Sequence, residues 1–444
     1  VVLNPKDERE ASDFVENTAS MLLFVTLFLT IIFFFGMPFI IQVLAPGFTD
    51  NKEAYELAVH FGKIIFPYII FISLAAHFAS INNVHERFAA GAFAPAILNI
   101  SFILSLFVLT PLLPSAGHAL SYGVLVGGVL QFLYLYWTVL KFYRPRIRIP
   151  VLNDKLKKFF SLFLPGVVGS GVIQLNIVIG TIIASFLPVG AISHIYYADR
   201  LNQLPLAIFG IALGIVLLPN LSKAIKQSDQ KTTHNIQNRS IEFSLLISLP
   251  SAIGLFILAE PIIYILFERG AFLQEDTFYT ARVLGYFALG LPAYIIIKVL
   301  VSCFFAREDT KTPLYISLVS VISNIVLSLL FIGSMREMGI ALATAISAWI
   351  NALLLYLLLF MRGFLKFDSL LIRNSIKILL SSALLIFGIF GLKGILFDDF
   401  SANSILINSL SLFLMIFLVL IIYLGLVIVL KVLTINQLKQ YLKK

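Results

Sequence analysis

Charge is scarce in this chain. Asp, Glu, Lys and Arg make up 12% of its 444 residues, against about a quarter in a soluble domain. With 59% apolar residues and a mean hydropathy of +0.98, a soluble fold is excluded and a polytopic membrane protein is indicated. The single cysteine, Cys303, excludes an intramolecular disulfide framework and any multi-cysteine metal site, and reads as a small apolar packing residue. The six histidines are scattered without ligand spacing, so no metal and no cofactor is expected. No Walker motif is present, which argues against nucleotide-driven work. Nor does a carboxylate or histidine cluster gather at one interface, as a membrane-embedded transferase would need, so the chain is not expected to be an enzyme. The net charge of +9 does not indicate nucleic acid, because the bases lie in short loops between apolar runs rather than on one face of a soluble module.

What is present is a series of apolar runs. About 20 helical residues cross the hydrocarbon core, and twelve such spans are predicted, near 21–45, 61–81, 93–113, 119–140, 160–187, 201–222, 242–266, 283–305, 314–333, 339–361, 375–397 and 405–432. Alternate loops together with both termini hold 24 of the 32 Lys and Arg residues, seven of them in "KFYRPRIRIPVLNDKLKK" (141–158). Opposite loops hold five, Lys52, Arg269, Arg282, Arg336 and Lys393, and Lys63, Arg200 and Lys298 lie in or at the ends of spans. The positive-inside rule therefore places both termini in the cytoplasm. The basic linker reads as topogenic rather than as a specific lipid-headgroup site.

The chain repeats itself. "PFIIQVLAPGF" (38–48) resembles "EPIIYILFERGAF" (260–272), which pairs Pro38 with Pro261 and Gly47 with Gly270 at an offset of 223. An offset of 225 pairs Pro67 with Pro292 and Asn99 with Asn324, and one of 220 pairs Gln131 with Asn351 and Tyr136 with Tyr356. Four spans before residue 141 thus match four between 242 and 361, in parallel orientation, as in transporters whose two bundles rock about a central site. Spans 160–187 and 201–222 have no counterpart before residue 21, and the sequence opens on Val1 at a charged stretch, so two preceding helices are expected to be missing. The predicted fold is all-α: two pseudo-repeated six-helix bundles plus two C-terminal helices, with about twelve spans present. The expected divisions are 1–158, four spans and the basic linker; 159–372, six spans; and 373–444, two extra helices.

Several stretches are familiar in order and spacing: "APGF" (45–48), "FPYI" (66–69), "FAPAILNIS" (93–101), "GGVLQ" (127–131), "ASFLPVGAISHIYYADRLNQLPLAIFGIALGIVLLPNLSK" (184–223) and "KTP" (311–313). They resemble the MurJ (MviN) family of lipid II flippases, over most of the chain and most closely from 45 to 223. The resemblance implies the multidrug/oligosaccharidyl-lipid/polysaccharide exporter fold, with fourteen helices of which the last two line a groove for the lipid tail. It implies a substrate, the undecaprenyl-pyrophosphate-linked peptidoglycan precursor lipid II, moved from the cytoplasmic to the periplasmic leaflet of the bacterial inner membrane. Membrane lipids, a monomeric carrier and the cell-wall synthesis machinery are the partners that go with it.

Candidate site residues follow from charge at depth. Counting back from the end of its span places Arg200 in the outer part of the hydrocarbon, where a charge is costly unless it meets water, a partner or an anion. Asp199 points about 100° away and needs a partner of its own. Tyr196, Tyr197 and Gln203 fall on the Arg200 side by spacing. A guanidinium fork suits pyrophosphate; equally, Arg200 can snorkel to the surface while Asp199 caps the helix start. The resemblance favours the first, since the family's matching arginine lies in its central cavity, and its other cavity arginines belong to the two helices without counterpart here. Lys298, deep in "YIIIKVLVSCFF", is expected to face a cavity or a carboxylate. The expected substrate-binding set is Arg200, Asp199, Lys298, Tyr196 and Gln203. Asn99, Asn324, Gln174, Asn176 and Ser328 read as interhelical hydrogen-bonders; a cation site of Asn324, Ser328 and Thr344 would lack an intramembrane carboxylate. Arg87, Arg307 and Lys311 read as solvated topogenic bases more than as phosphate contacts. The competing functions are a drug or cation antiporter, or another lipid-linked polysaccharide exporter, of the same superfamily, and a non-transporting scaffold.

Overall fold

The protein is described by a computed structural model covering residues 8–141, 146, 148–151, 157, 161, 171, 174–175, 177–396 and 404–432. Asn176, Pro165, glycines 166 and 169 and most of the expected span 160–187 lie outside the described residues. The helices are α1 (Glu8–Leu44), α2 (Lys52–Ile65), α3 (Tyr68–Val84), α4 (Phe88–Leu109), α5 (Ala116–Val139), α6 (Ala191–Lys226), α7 (Gln230–Ile257), α8 (Ala259–Phe267), α9 (Gln274–Phe305), α10 (Lys311–Met335), α11 (Glu337–Met361), α12 (Ser369–Leu396) and α13 (Ile405–Val429). Among the described residues ten helical stretches are long and apolar enough to cross a membrane, one for each of ten expected spans. An eleventh, 201–222, lies within α6.

Two spans differ in detail from the hydropathy reading. The run 61–81 is divided at Phe66–Pro67, where α2 ends and α3 begins. The run 242–266 is divided at Leu258, with Pro261 in the first turn of α8. Proline has no N–H and blocks the preceding turn, so it suits the start of a helix; hydropathy alone registers neither break. Side-chain caps set other starts: Asn51 accepts from Ala54 N–H, Ser115 from His118 N–H, Asp229 from Thr232 N–H and Ser404 from Ile407 N–H.

The chain forms two compact units, Val1–Ser170 and Gly171–Lys444. In the first, α5 packs on α4, α3 and α2, and α1 on α3 and α2. A Cβ added at Gly127 would lie 2.7 Å from Leu98 Cδ1 and 3.4 Å from Leu98 Cα, so α4 and α5 approach nearly backbone to backbone. Ser101 Oγ donates to the Gly123 carbonyl across that contact at 2.8 Å. The basic linker is tied to α1 in this unit: Arg148 Nε lies 2.6 Å from Glu16, and Asn17 exchanges two hydrogen bonds with the Val151 backbone.

In the second unit α9 is the central element, packed against α6, α7, α8 and α11. Its apolar residues have no preferred side because it is covered on nearly all sides, Leu284, Leu291, Ile295 and Val299 among the fully buried. The last two helices complete this unit, α12 against α7 and α13 against α8.

Candidate functional site

The turn Pro188–Gly190 starts α6, with Gly190 at φ +101°, a backbone shape that a side chain resists. Two turns further on, Asp199, Asn202, Gln203 and Leu206 follow at helical spacing along one face and line a cavity of about 450 Å3. Tyr294 and Lys298, at i and i+4 on α9, and Thr344 on α11 line the same cavity. Three of the five expected site residues, Asp199, Gln203 and Lys298, are therefore brought together.

Arg200 and Tyr196 are not among the residues lining this cavity. They form a pair on an adjoining face of α6, with the guanidinium carbon 4.7 Å from the centre of the Tyr196 ring. Asp199 and Arg200 thus have separate partners, as their angular separation requires. The stripe expected beside Arg200 is shorter than spacing suggests: Gln203 donates to Asp199 one turn back, and Tyr197 packs against Phe267 and Phe272. Asp199 lies inside α6 rather than at its start, so it caps nothing.

Two side chains that sequence reasoning passed over complete the cavity. Asn202 is buried and its Oδ1 has no hydrogen-bond partner among the described residues, and the Tyr294 hydroxyl is likewise without one. The signal for both was available as helical spacing from residues already chosen: Asn202 is three residues after Asp199, and Tyr294 is one turn before Lys298. A carboxylate, an ammonium, two carboxamides and a phenol on a wall of apolar helices can hold a charged, hydrogen-bonding headgroup out of hydrocarbon.

A second cavity of about 390 Å3 opens in the same unit between α7, α9, α11 and α12. Ile241, Leu245, Ile296, Leu300, Leu353 and Leu379 line it, so it can take a hydrocarbon chain and offers almost nothing to a charge.

The polar residues of α10 and α11 are engaged with one another. Asn324 Nδ2 donates to Thr344 Oγ1 at 3.0 Å and to Ser347 Oγ at 3.3 Å, and Asn324 Oδ1 accepts from Ser328 at 3.4 Å. The bonds to Thr344 and Ser347 are interhelical ties, whereas Ser328, expected to bond across helices, bonds one turn back within α10. Among the described residues no group of three or more His, Cys, Asp or Glu could hold a metal ion. Arg307 is also committed: it donates to the carbonyls of Cys303 at 2.7 Å and Phe364 at 3.3 Å and lies over the Phe364 ring. Nearby, slight burial opposes the Asp309 charge, but hydrogen bonds from Thr312 and Arg362 outweigh it and hold this carboxyl below its usual range.

The sequence profile of the family described as lipid II flippase MurJ matches residues 2–415. A probable lipid II flippase MurJ of Rhizobium tropici is 40% identical over 382 residues, covering 84% of this chain and 71% of the relative. That of Rickettsia prowazekii (strain Madrid E) is 40% identical over 360 residues, covering 80% and 69%. Among solved structures, a lipid II flippase MurJ in an inward closed conformation is similar at a TM-score of 0.79 and 28% identity, covering 95% of this chain and 84% of that one. An inward-facing multidrug resistance transporter of the MATE family reaches 0.67 at 15% identity, over 78% and 80%, a likeness of fold alone. A profile match over nearly the whole length, relatives at 40% identity and a multi-pass helical fold agree: this chain belongs to the lipid II flippase MurJ family.

Proposed function

We propose that this chain moves lipid II from the cytoplasmic to the periplasmic leaflet by alternating access, with both termini in the cytoplasm. The observation that carries the reading is the cavity on α6 and α9, where Asp199 and Lys298 share a polar wall inside apolar helices of a chain from this family. An isolated charge at that depth is costly, so two of them around open volume are best accounted for by a polar ligand. Arg200, braced on Tyr196, and Lys298 would meet the pyrophosphate, the guanidinium through paired hydrogen bonds. The apolar cavity against α12 suits part of the polyprenyl tail. The bundles 1–158 and 159–372 would rock about the headgroup while 373–444 keeps the tail in lipid. Because the headgroup is anionic, an inside-negative potential favours outward movement by about 2.3 kcal/mol per charge per 100 mV.

The test is growth of a bacterium depleted of its own lipid II flippase. The chain in its full natural length should restore growth, and Arg200→Ala and Lys298→Ala should each lower activity by roughly tenfold or more at equal membrane abundance, the loss of a charge-assisted contact of about 1.5–3 kcal/mol. Normal accumulation without rescue would reject lipid II as the substrate; rescue undiminished by Arg200→Ala would reduce that arginine to a topogenic role. The second reading, a cation or drug antiporter, draws on the acidic wall at Asp199 and predicts resistance to cationic dyes that Asp199→Asn removes.

A further inference from the structure

At the end of α6 remote from Lys223 and Lys226, a histidine is held between two carboxylates from two other helices. His194 Nδ1 lies 3.0 Å from Glu337 Oε1 and its Nε2 lies 3.0 Å from Asp276 Oδ1. The imidazole is nearly buried and Glu337 is wholly so. A neutral imidazole has one N–H, and its other nitrogen would turn a lone pair toward a carboxylate oxygen. Only the doubly protonated ring satisfies both contacts with both carboxylates ionised.

The surroundings are consistent with that charge state. From α9, Asp276 bonds the ring and Tyr279 stacks on it, with ring centres 5.7 Å apart. From α11, Glu337 bonds it, and Arg336 just before α11 donates to the Tyr279 hydroxyl at 2.9 Å and lies 3.4 Å from Glu337 Oε2. Close by, Ile183, Ala184, Ile192, Ile195 and Ile340 form an apolar cluster. Asp276 also accepts from Leu273 N–H and so fixes the start of α9. One ring therefore joins the outer ends of the three helices that carry the polar cavity: α6 with Asp199 and Gln203, α9 with Tyr294 and Lys298, and α11 with Thr344. His194 is five residues from Asp199, about 7.5 Å along the helix.

We propose that His194 is a positioning residue for transport: as an imidazolium bonded to Asp276 and Glu337 it locks α6, α9 and α11 at their outer ends, keeps the cavity groups in register, and releases them as the outside becomes alkaline. His194 precedes the span 201–222, at the margin that faces the outer solution in the proposed orientation. Burial alone would lower its pKa, but the hydrogen bonds and charges of Glu337 and Asp276 outweigh this and raise it above the ordinary 6.5. A raised folded-state pKa gives stability that is complete below about pH 6.5 and is lost as pH rises through the raised value.

The transport part rests on the flippase reading; the lock itself does not. Two measurements keep them apart, both on the full chain. In the first, the thermal unfolding midpoint of the detergent-solubilised protein is followed from about pH 5.5 to 9. Wild type should lose stability on the alkaline side, and Asp276→Asn, whose amide oxygen can still cap α9, should show the same loss beginning about 1 pH unit lower. His194→Gln should lack that step. In the second, rescue of flippase-depleted cells is compared at about pH 6 and 8.5. Wild-type activity should fall several-fold at the higher pH and His194→Gln should be equally active at both. Identical unfolding profiles for wild type, Asp276→Asn and His194→Gln would overturn the lock. A lock seen in unfolding, with rescue equally pH-sensitive in wild type and His194→Gln, would overturn the positioning role; no rescue by wild type at either pH would count against the flippase reading and, with it, the transport part.

Discussion

The sequence repeat makes one helix pair twice, and the two copies are held together differently. In α4–α5 the contact is made largely by absence: Gly123 and Gly127 let the partner backbone come close, and the two side-chain bonds across it end on backbone carbonyls, Ser101 Oγ on that of Gly123 and Gln131 Nε2 on that of Ala94. At the matching positions α11 carries Ala343 and Ser347, and α10–α11 is joined by side chains, with Asn324 at the centre of bonds to Thr344, Ser347 and Ser328. Asn99, the repeat partner of Asn324, is exposed. Neither helix pair gains a hydrophobic driving force from lipid, so close packing and hydrogen bonding are alternative ways to hold it. A residue paired by an internal repeat shares its place in the backbone and not its job.

Five substitutions sharpen the contrast. Gly127→Leu should be the most damaging, because Leu98 and Ser101 occupy the space its side chain needs; a loss of about 3 kcal/mol or more is expected in a detergent unfolding series. Ala343→Leu, at the position matching Gly123 one turn away, tests whether the second pair tolerates bulk better, and equal losses would mean that both pairs depend on close approach. Asn324→Ala should cost about 1–2 kcal/mol by stranding Thr344 and Ser328, whereas Asn99→Ala should stay within about 0.5 kcal/mol. If the two asparagines cost the same, the asymmetry claimed for the repeats is wrong. Tyr68→Phe, which removes the hydrogen bond from the Tyr68 hydroxyl to Gln131 Oε1 at 3.2 Å, should fall between the two asparagines and lower stability by about 0.5–1 kcal/mol.

Much of the fold was legible because lipid imposes length and hydropathy on each span. Interruptions were harder: Pro67 and Pro292 pair in the repeat, yet Pro67 stands at a helix junction and Pro292 lies inside an unbroken α9. The difference is tertiary, since Pro292 is buried among the helices packed on α9. In the site, Asp199 and Lys298 were legible as charges at costly depth, whereas Asn202 and Tyr294 were passed over although helical spacing places them beside those charges. Arg200 stood out for the same reason, but its partnership with Tyr196, and Gln203's with Asp199, depend on rotamers that spacing leaves open. The His194 contacts had no local signal at all, because Asp276 and Glu337 are 82 and 143 residues away in sequence and each opens a different helix.

The enclosure of α9 has a consequence for measurement. Lys298 stands on a rod gripped by four neighbours, so it has little freedom to swing by local bending. A probe attached next to it would report displacement of α9 together with the helices packed on it, and distances from it to α6 should stay constant wherever these helices move as a body. The most enclosed of the ten spanning stretches among the described residues is in this sense the reference from which movement within its unit is best recorded.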